Sequence, residues 1–411
     1  MIRFGGKSCW LVWLLLALSA DLQARNELNL NAGVAVFADD NYGLRAAQEE
    51  KAEGSRQRAN LGYVNSSETT NIEAGVSWFD TYLVDSDFKE DDYYDIYGAF
   101  KHSWLTTVLD AELRARSDTT VTDELLIDGP QTVDVGRDRY TLDLQLNHNF
   151  NETFRLSGGI SAEQVSFDKS NPDLLEYDYY SANLQPFWFY QSNAAFYLSV
   201  FANQVEYQEK PFEEVGFLRP IPTKTETNGA NIGWRYQPTE TLLSNISVGY
   251  RESEYNTTFF NPIFFGPIVV GLEEIEFDEN GSGAVVNGEL TYTGERSRTS
   301  LYLSQQAAPN SAGNVIDTKR IALNYRYNLT ERAFFTTGVT YTEQRSELED
   351  QQDDDLDTIR VIAKLLWKFR RNLHLYAGHR YLERQLVNLD QDGESNRIEL
   401  GLNWIMDPLT W

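Results

Sequence analysis

The chain is poor in the residues that build disulfides, metal centres and packed helical bundles. Its 411 residues include one cysteine, two methionines and four histidines. The cysteine, Cys9, opens the apolar run of an N-terminal segment ordered as a signal peptide. Arg3 and Lys7 come first, then Cys9 to Ala20 without a charge, with small residues at Ala17, Ser19, Ala20 and Ala24. That run is about a dozen residues, where a spanning helix needs roughly twenty. Residues 1–24 are therefore expected to be removed, with cleavage near 19–24. The remainder then has no thiol, which excludes a disulfide framework and a thiolate metal site.

Long apolar runs are also missing. No later stretch holds eighteen consecutive apolar residues, so helical membrane spans are excluded beyond the leader. Basic residues are in deficit, 35 against 62 acids for a formal charge of −27. Such a balance excludes a surface made to grip a phosphate backbone, and no nucleic-acid partner is expected. The acids gather at Asp39-Asp40, Glu49-Glu50, Glu90-Asp91-Asp92 and from Glu347 to Asp357, mostly between strand-like runs.

Catalytic constellations are scarce. His102, His148, His374 and His379 offer no pair at metal-ligand spacing. His374 and His379 share one strand at odd spacing and face opposite sides, and His148 falls on an outward register beside a short turn. There is no nucleophile elbow and no phosphate-cradling glycine loop. Asp390-Gln391-Asp392-Gly393-Glu394 lacks the ligand spacing of a calcium loop. No catalytic residue, metal or cofactor is expected.

What the chain has in quantity is aromatic side chains, 23 tyrosines and 22 phenylalanines among them, a balance that favours strands. The recurring pattern is strict alternation. Tyr140, Leu142, Leu144 and Leu146 interleave with Arg139, Thr141, Asp143, Gln145 and Asn147, and Ile321, Leu323, Tyr325, Tyr327 and Leu329 interleave with Arg320, Asn324, Arg326 and Asn328. The first run (27–37) and the last (395–406) alternate likewise and can pair. About eighteen such runs are counted, sixteen if weaker ones are dropped.

Connection lengths alternate too. Tight turns at Ser67 to Thr69, Ser103-Trp104, Asn151-Glu152, Gln191 to Asn193, Pro238 to Glu240, Gly294 to Arg296, Thr330-Glu331 and Arg370-Arg371 separate long connections at 38–55, 118–135, 209–223, 255–281, 307–317, 345–356 and 385–394. A soluble pair of sandwiches or a propeller would alternate in polarity without this long and short rhythm. The expected fold is all-β: a single transmembrane up-and-down antiparallel β-barrel over 25–411, with an even strand number, short turns on one side and acidic loops on the other. Trp404 and Trp411 suit an interfacial girdle, although Asp407-Pro408 interrupts the last strand.

If the apolar register faces lipid, the alternate register lines the lumen. It then carries Arg114, Arg116, Arg139, Arg155, Arg235, Arg251, Arg320, Arg326, Arg360, Lys364, Lys368, Arg380 and Arg397, with Asp110, Glu112, Asp143, Glu163 and Glu399 among them. Fixed positive charge between low-dielectric walls concentrates anions, so an anionic solute or acidic polysaccharide is one expectation. A salt-bridged network that merely fills and stiffens the barrel is the other. The hydrophobic loop 255–281 holds Phe259, Phe260, Phe264 and Phe265 and is a candidate constriction; alternatively it plugs the lumen, docks on a partner, rests among headgroups, or extends its hairpin above the membrane.

In layout, and in Gly33-Val34 followed by Asp39-Asp40-Asn41 at the end of the first strand, the chain resembles the porin 2-like β-barrel families of Gram-negative bacteria that accompany exopolysaccharide or capsule biosynthesis. The resemblance implies an outer-membrane protein that helps an exported polysaccharide cross or leave the outer membrane. Its implied surroundings are outer-membrane lipid and lipopolysaccharide, with a polysaccharide or periplasmic export components as partners; the oligomeric state is left open. A plugged structural or adhesion barrel and a barrel-borne hydrolase are the competing classes.

Overall fold

Period-two alternation gives each segment one wet face and one dry face, and in lipid a sheet can leave no backbone group unpaired. Closure of the sheet satisfies both demands. The computed structural model of the chain describes residues 24–42, 51–84, 91–119, 136–168, 175–208, 221–265, 268–309, 315–346, 355–387 and 391–411. The expected leader before Ala24, the acidic pair Glu49-Glu50 and the acidic run from 347 to 354 lie outside them.

Among the described residues are eighteen long strands and no helix: β1 (Arg25–Asp39), β2 (Ala52–Ser66), β3 (Thr70–Val84), β4 (Asp91–Ser103), β5 (Thr107–Thr119), β6 (Gly136–Asn149), β7 (Phe154–Phe167), β8 (Tyr177–Gln191), β9 (Ala194–Tyr207), β10 (Ile221–Thr239), β11 (Leu242–Phe265), β12 (Ile268–Thr293), β13 (Ser297–Pro309), β14 (Val315–Asn328), β15 (Ala333–Ser346), β16 (Leu356–Arg370), β17 (Leu373–Leu386) and β18 (Gln391–Ile405). Each pairs antiparallel with the next, and β1 pairs back with β18 from Asn31↔Ile405 to Asp39↔Arg397. The sheet is a closed barrel. Past Ile405 the chain steps over Asp407-Pro408 and resumes as β19 (Leu409–Thr410), opposite Leu28 and Glu27. Proline has no N–H to give and sits where the ladder is broken.

The lipid-facing register is apolar: Val36, Ile160, Ile232, Val248, Ile398 and Leu400 all point outward, Ile232 with 67% of its surface exposed. Two aromatic girdles bound this belt. Tyr82, Tyr94, Tyr140, Tyr180, Tyr250, Tyr341 and Tyr381 lie on the outward register toward the long connections, and Trp104, Trp188, Tyr190, Trp234, Tyr292, Trp367 and Trp404 toward the short turns. Along β8, Tyr180 to Tyr190 is ten steps, about 33 Å of strand, or about 25 Å of depth at the usual barrel tilt. A closed sheet with this belt outside and polar side chains inside is a protein of the bacterial outer membrane.

Residues 255–281 are not a loop. β11 and β12 stay paired out to Phe265↔Ile268, whereas β10 leaves β11 at Ile221↔Thr258 and β13 joins β12 only at Val286↔Gln305. The segment with Phe259, Phe260, Phe264 and Phe265 is the far half of a two-stranded arm beyond the rim, which agrees with the extended-hairpin alternative and not with a constriction loop. Pro262 looked like a strand breaker. It is tolerated because, among the described residues, β11 has a partner there on one side only, so no second ladder needs its missing N–H.

Two inner aromatic rings are laid along the wall. Tyr197 on β9 lies across Gly233 of β10, and its hydroxyl donates to Asn245 Oδ1 of β11 at 3.0 Å; Phe201 lies across Gly229 in the same way. A Cβ at Gly233 would overlap the Tyr197 ring. Gly233→Ala is therefore expected to lift the ring into the lumen, break its bond to Asn245 and cost about 1–3 kcal/mol, read as a lowered urea midpoint; an unchanged midpoint would show that the ring shifts freely.

Candidate functional site

The candidate site is the inner wall. Directly paired residues of adjacent strands share a face, so buried Ala35, Phe37 and Asp39 of β1 carry the inner register around the barrel from pair to pair. The pairings set Arg114, Arg116, Arg139, Arg155, Arg235, Arg251, Arg320, Arg326, Arg360, Lys364, Lys368, Arg380 and Arg397 on that face, together with Asp110, Glu112, Asp143, Glu163 and Glu399. Arg56 and Arg58 of β2, Lys101 of β4, Arg137 of β6 and Arg384 of β17 share it. Sequence reading missed these. In β2 the outward register begins Glu53, Ser55, Gln57, Ala59, too polar to announce which face is which.

The inner charges divide around the circumference. On β3 to β7 cations meet carboxylates. Arg114 Nε donates to Asp95 Oδ1 at 2.8 Å, with Tyr93 hydroxyl on Oδ2 at 3.1 Å. Arg137 Nε and Nη2 clasp Asp118 at 3.0 and 3.2 Å, Arg116 Nε lies 2.7 Å from the same carboxylate, and Arg139 is 3.7 Å from Glu163. This arc is the stiffening network, and its pairs cancel much of one another's field.

From β14 through β18 to β1 and β2 the balance is different. Arg320, Arg326, Arg360, Lys364, Lys368, Arg380, Arg384, Arg397, Arg56 and Arg58 face Asp39 and Glu399, leaving aside the Arg25–Glu27 pair near the short-turn end. Here several cations rest on rings. Lys364 Nζ is 3.7 Å from the Tyr376 ring centre, Lys368 and Arg326 lie 5.0 and 4.8 Å from that of Phe334, and Arg56 sits 5.7 Å from that of Phe37. A ring quadrupole holds a cation in place without neutralising it. Arg58 donates to Asn403 Oδ1 at 2.6 Å, a neutral partner that also leaves its charge standing.

The third arc, β8 to β11, is nearly uncharged. Its inner register is mostly Ser, Thr, Asn, Gln and aromatic residues with Ala195, Val205 and glycines between them, and Arg235 and Arg251 are the only ions among those described. At its edge the wall overlaps itself. β13 leaves β12 above Gln305, and Asp317, on the outer face of β14, meets Arg251, on the inner face of β11, at 3.0 Å, with Gln305 Nε2 donating to Asp317 Oδ2 at 2.9 Å. The paired ends of β13 and β14 around Gln305 and Asp317 thus lie inside β11. Asp317→Asn removes the anion from a guanidinium that is 1% exposed. The overlap is expected to loosen, raising open-state conductance and its noise at a stability cost of about 1–3 kcal/mol; traces like the parent's would show the pair to be passive.

The histidines scatter. His102 and His148 face lipid beside short turns, each with Nδ1 bonded to a threonine hydroxyl, Thr70 at 2.8 Å and Thr107 at 2.7 Å, and each edge-on to a ring, Trp104 and Phe150. His374 is on the inner register and His379 on the outer. Among the described residues no three His, Cys, Asp or Glu side chains gather as metal ligands.

No protein-family profile and no curated sequence matches the chain. Among solved structures it is similar to OccAB4 of Acinetobacter baumannii (11% identity, 95% of this chain and 100% of that one, TM-score 0.46). It is similar also to a BenF-like porin from Pseudomonas fluorescens Pf-5 (12%, 94% and 99%, TM-score 0.45) and to the outer membrane protein OpdK from Pseudomonas aeruginosa (11%, 94% and 99%, TM-score 0.44).

Proposed function

We propose that the chain is a porin-like channel, without enzymatic activity, that passes anionic solutes along its basic arc, an acidic exopolysaccharide leaving the periplasm being the substrate that fits best. The observation that carries the reading is the partition of the inner wall. Several of its cations between β14 and β2, Lys364, Lys368, Arg326 and Arg58 among them, rest on rings or on the Asn403 amide, so their field reaches the lumen, whereas Arg397 and Arg380 close on Asp39. Acidic external residues would repel such a glycan from outside but hinder its exit less. The inward overlap of β14 on β11 at Asp317 and Arg251 favours a second reading, a barrel closed by its own chain and used for structure or adhesion.

Refolding the mature chain into a planar bilayer separates the two. Open channels that prefer chloride to potassium support the first reading and silent insertion the second, while cation preference overturns the role given to the basic arc.

A further inference from the structure

The uncharged arc asks for a ligand of different chemistry from the basic one. On the inner register from Tyr177 of β8 to Tyr255 of β11 there is no carboxylate among the described residues; carboxamides and hydroxyls alternate with aromatic rings. These line most of a recess of about 470 Å³, which Gln306 and Ala307 of β13 and the ion-paired Arg139, Glu163 and Arg251 complete, within the size range of small-ligand sites. Gln185 Nε2 donates to Ser199 Oγ at 3.1 Å, and Asn231 Nδ2 reaches Ser247 Oγ at 3.4 Å. Asn231 is only 7% exposed and lines the recess, yet its Oδ1 accepts no hydrogen bond from the described residues. A buried acceptor without a donor carries a standing cost that a ligand hydroxyl would remove. Beside it Phe201, folded down over Gly229, lies along the wall instead of filling the recess.

We propose that this recess is a saccharide subsite: the carboxamides and hydroxyls of Asn183, Gln185, Ser199 and Asn231 meet sugar hydroxyls, and Phe201 packs on the apolar face of a pyranose ring. The assignment rests on the reading of the lumen as a passage and adds to it. A glycan strand would present acidic groups to the basic arc and its uncharged ring faces to β8 to β11. The two arginines at the recess are answered by Glu163 and Asp317, so a small inorganic anion would be drawn chiefly to the basic arc.

The test uses maltohexaose, an uncharged oligosaccharide, against polyethylene glycol of matched size, on single channels in a planar bilayer. Maltohexaose is expected to produce resolved current blocks that polyethylene glycol does not, and Asn231→Leu and Phe201→Leu are each expected to shorten them about tenfold, the equivalent of about 1.4 kcal/mol. Heat-modifiable migration on gels shows which variants fold. Equal blocking by the two polymers, or block lifetimes unchanged in folded variants, overturns the subsite. Charge selectivity in the same traces reports on the basic arc separately, so either proposal can fail alone. If no channel opens, calorimetry of maltohexaose with the detergent-solubilised barrel decides: heat lost in Asn231→Leu supports the subsite, and no heat with the parent protein overturns it.

Discussion

Replacing Arg58 and Lys364 together by glutamate is expected to turn an anion-preferring channel into a cation-preferring one. The two side chains project from the inner faces of β2 and β16, and their holders, Asn403 and the Tyr376 ring, carry no countercharge. Two charges reversed amount to a four-unit change in the wall. Unit charges about 6 Å apart interact by about 0.7 kcal/mol even at the dielectric of water, and by more between low-dielectric walls. Four units therefore shift the relative cost of an anion and a cation by a few kcal/mol before screening. At about 0.1 M salt, with a Debye length of about 10 Å, the permeability ratio should move about tenfold or more. The same double change at Arg114 and Arg137, whose charges are already answered by Asp95 and Asp118, tests fold integrity more than selectivity. An unchanged ratio for Arg58 and Lys364 would mean that ions do not travel past the β16–β2 wall.

The largest loss of stability is expected at Asp39. This carboxylate is 3% exposed and holds the first strand to the last: Arg397 Nε and Ser395 Oγ both donate to it at 2.8 Å, the backbone N–H of Asn41 at 3.1 Å, and Arg380 stands 3.6 Å away. Asp40 adds an outer stitch, its Oδ1 accepting from the Asn396 N–H at 2.6 Å. Asp39→Ala strips the anion from buried Arg397, and breaking such a pair costs about 3–5 kcal/mol. The urea midpoint of the gel-resolved folded band should fall accordingly. Arg397→Met combined with Asp39→Ala should recover part of the loss, because no orphan charge is then left inside. A drop of less than about 1 kcal/mol in the single variant would show that the backbone ladder alone secures the closure.

The Asp39-Asp40-Asn41 run illustrates what sequence reading sees and misses. It stands out as a motif, yet its work is visible only beside Ser395, Asn396 and Arg397, more than 350 residues away. Closure itself was legible because alternation in β1, β6, β14 and β18 is strict and every polar run has an apolar counterpart. Register failed to stand out in β2, where the lipid face is weakly apolar. For 255–281 the extended hairpin stayed one alternative among several because proline reads as a breaker when neighbouring strands are unseen, and at Pro262 β11 has one neighbour among the described residues. The partition into three arcs was illegible for a different reason. Alternation says which residues face inward, but whether a cation rests on a ring or a carboxylate depends on strand stagger, which no single strand records.

The aromatic girdles have a consequence for sorting. About 25 Å separates them at the usual tilt, whereas an average bilayer has about 30 Å of hydrocarbon, and the bacterial outer membrane is thinner than average. In a thicker membrane the barrel would have to pinch the lipid around its whole perimeter. Hydrophobic mismatch costs fractions of a kcal/mol per ångström, so the spacing of two rings of tyrosine and tryptophan is itself an address.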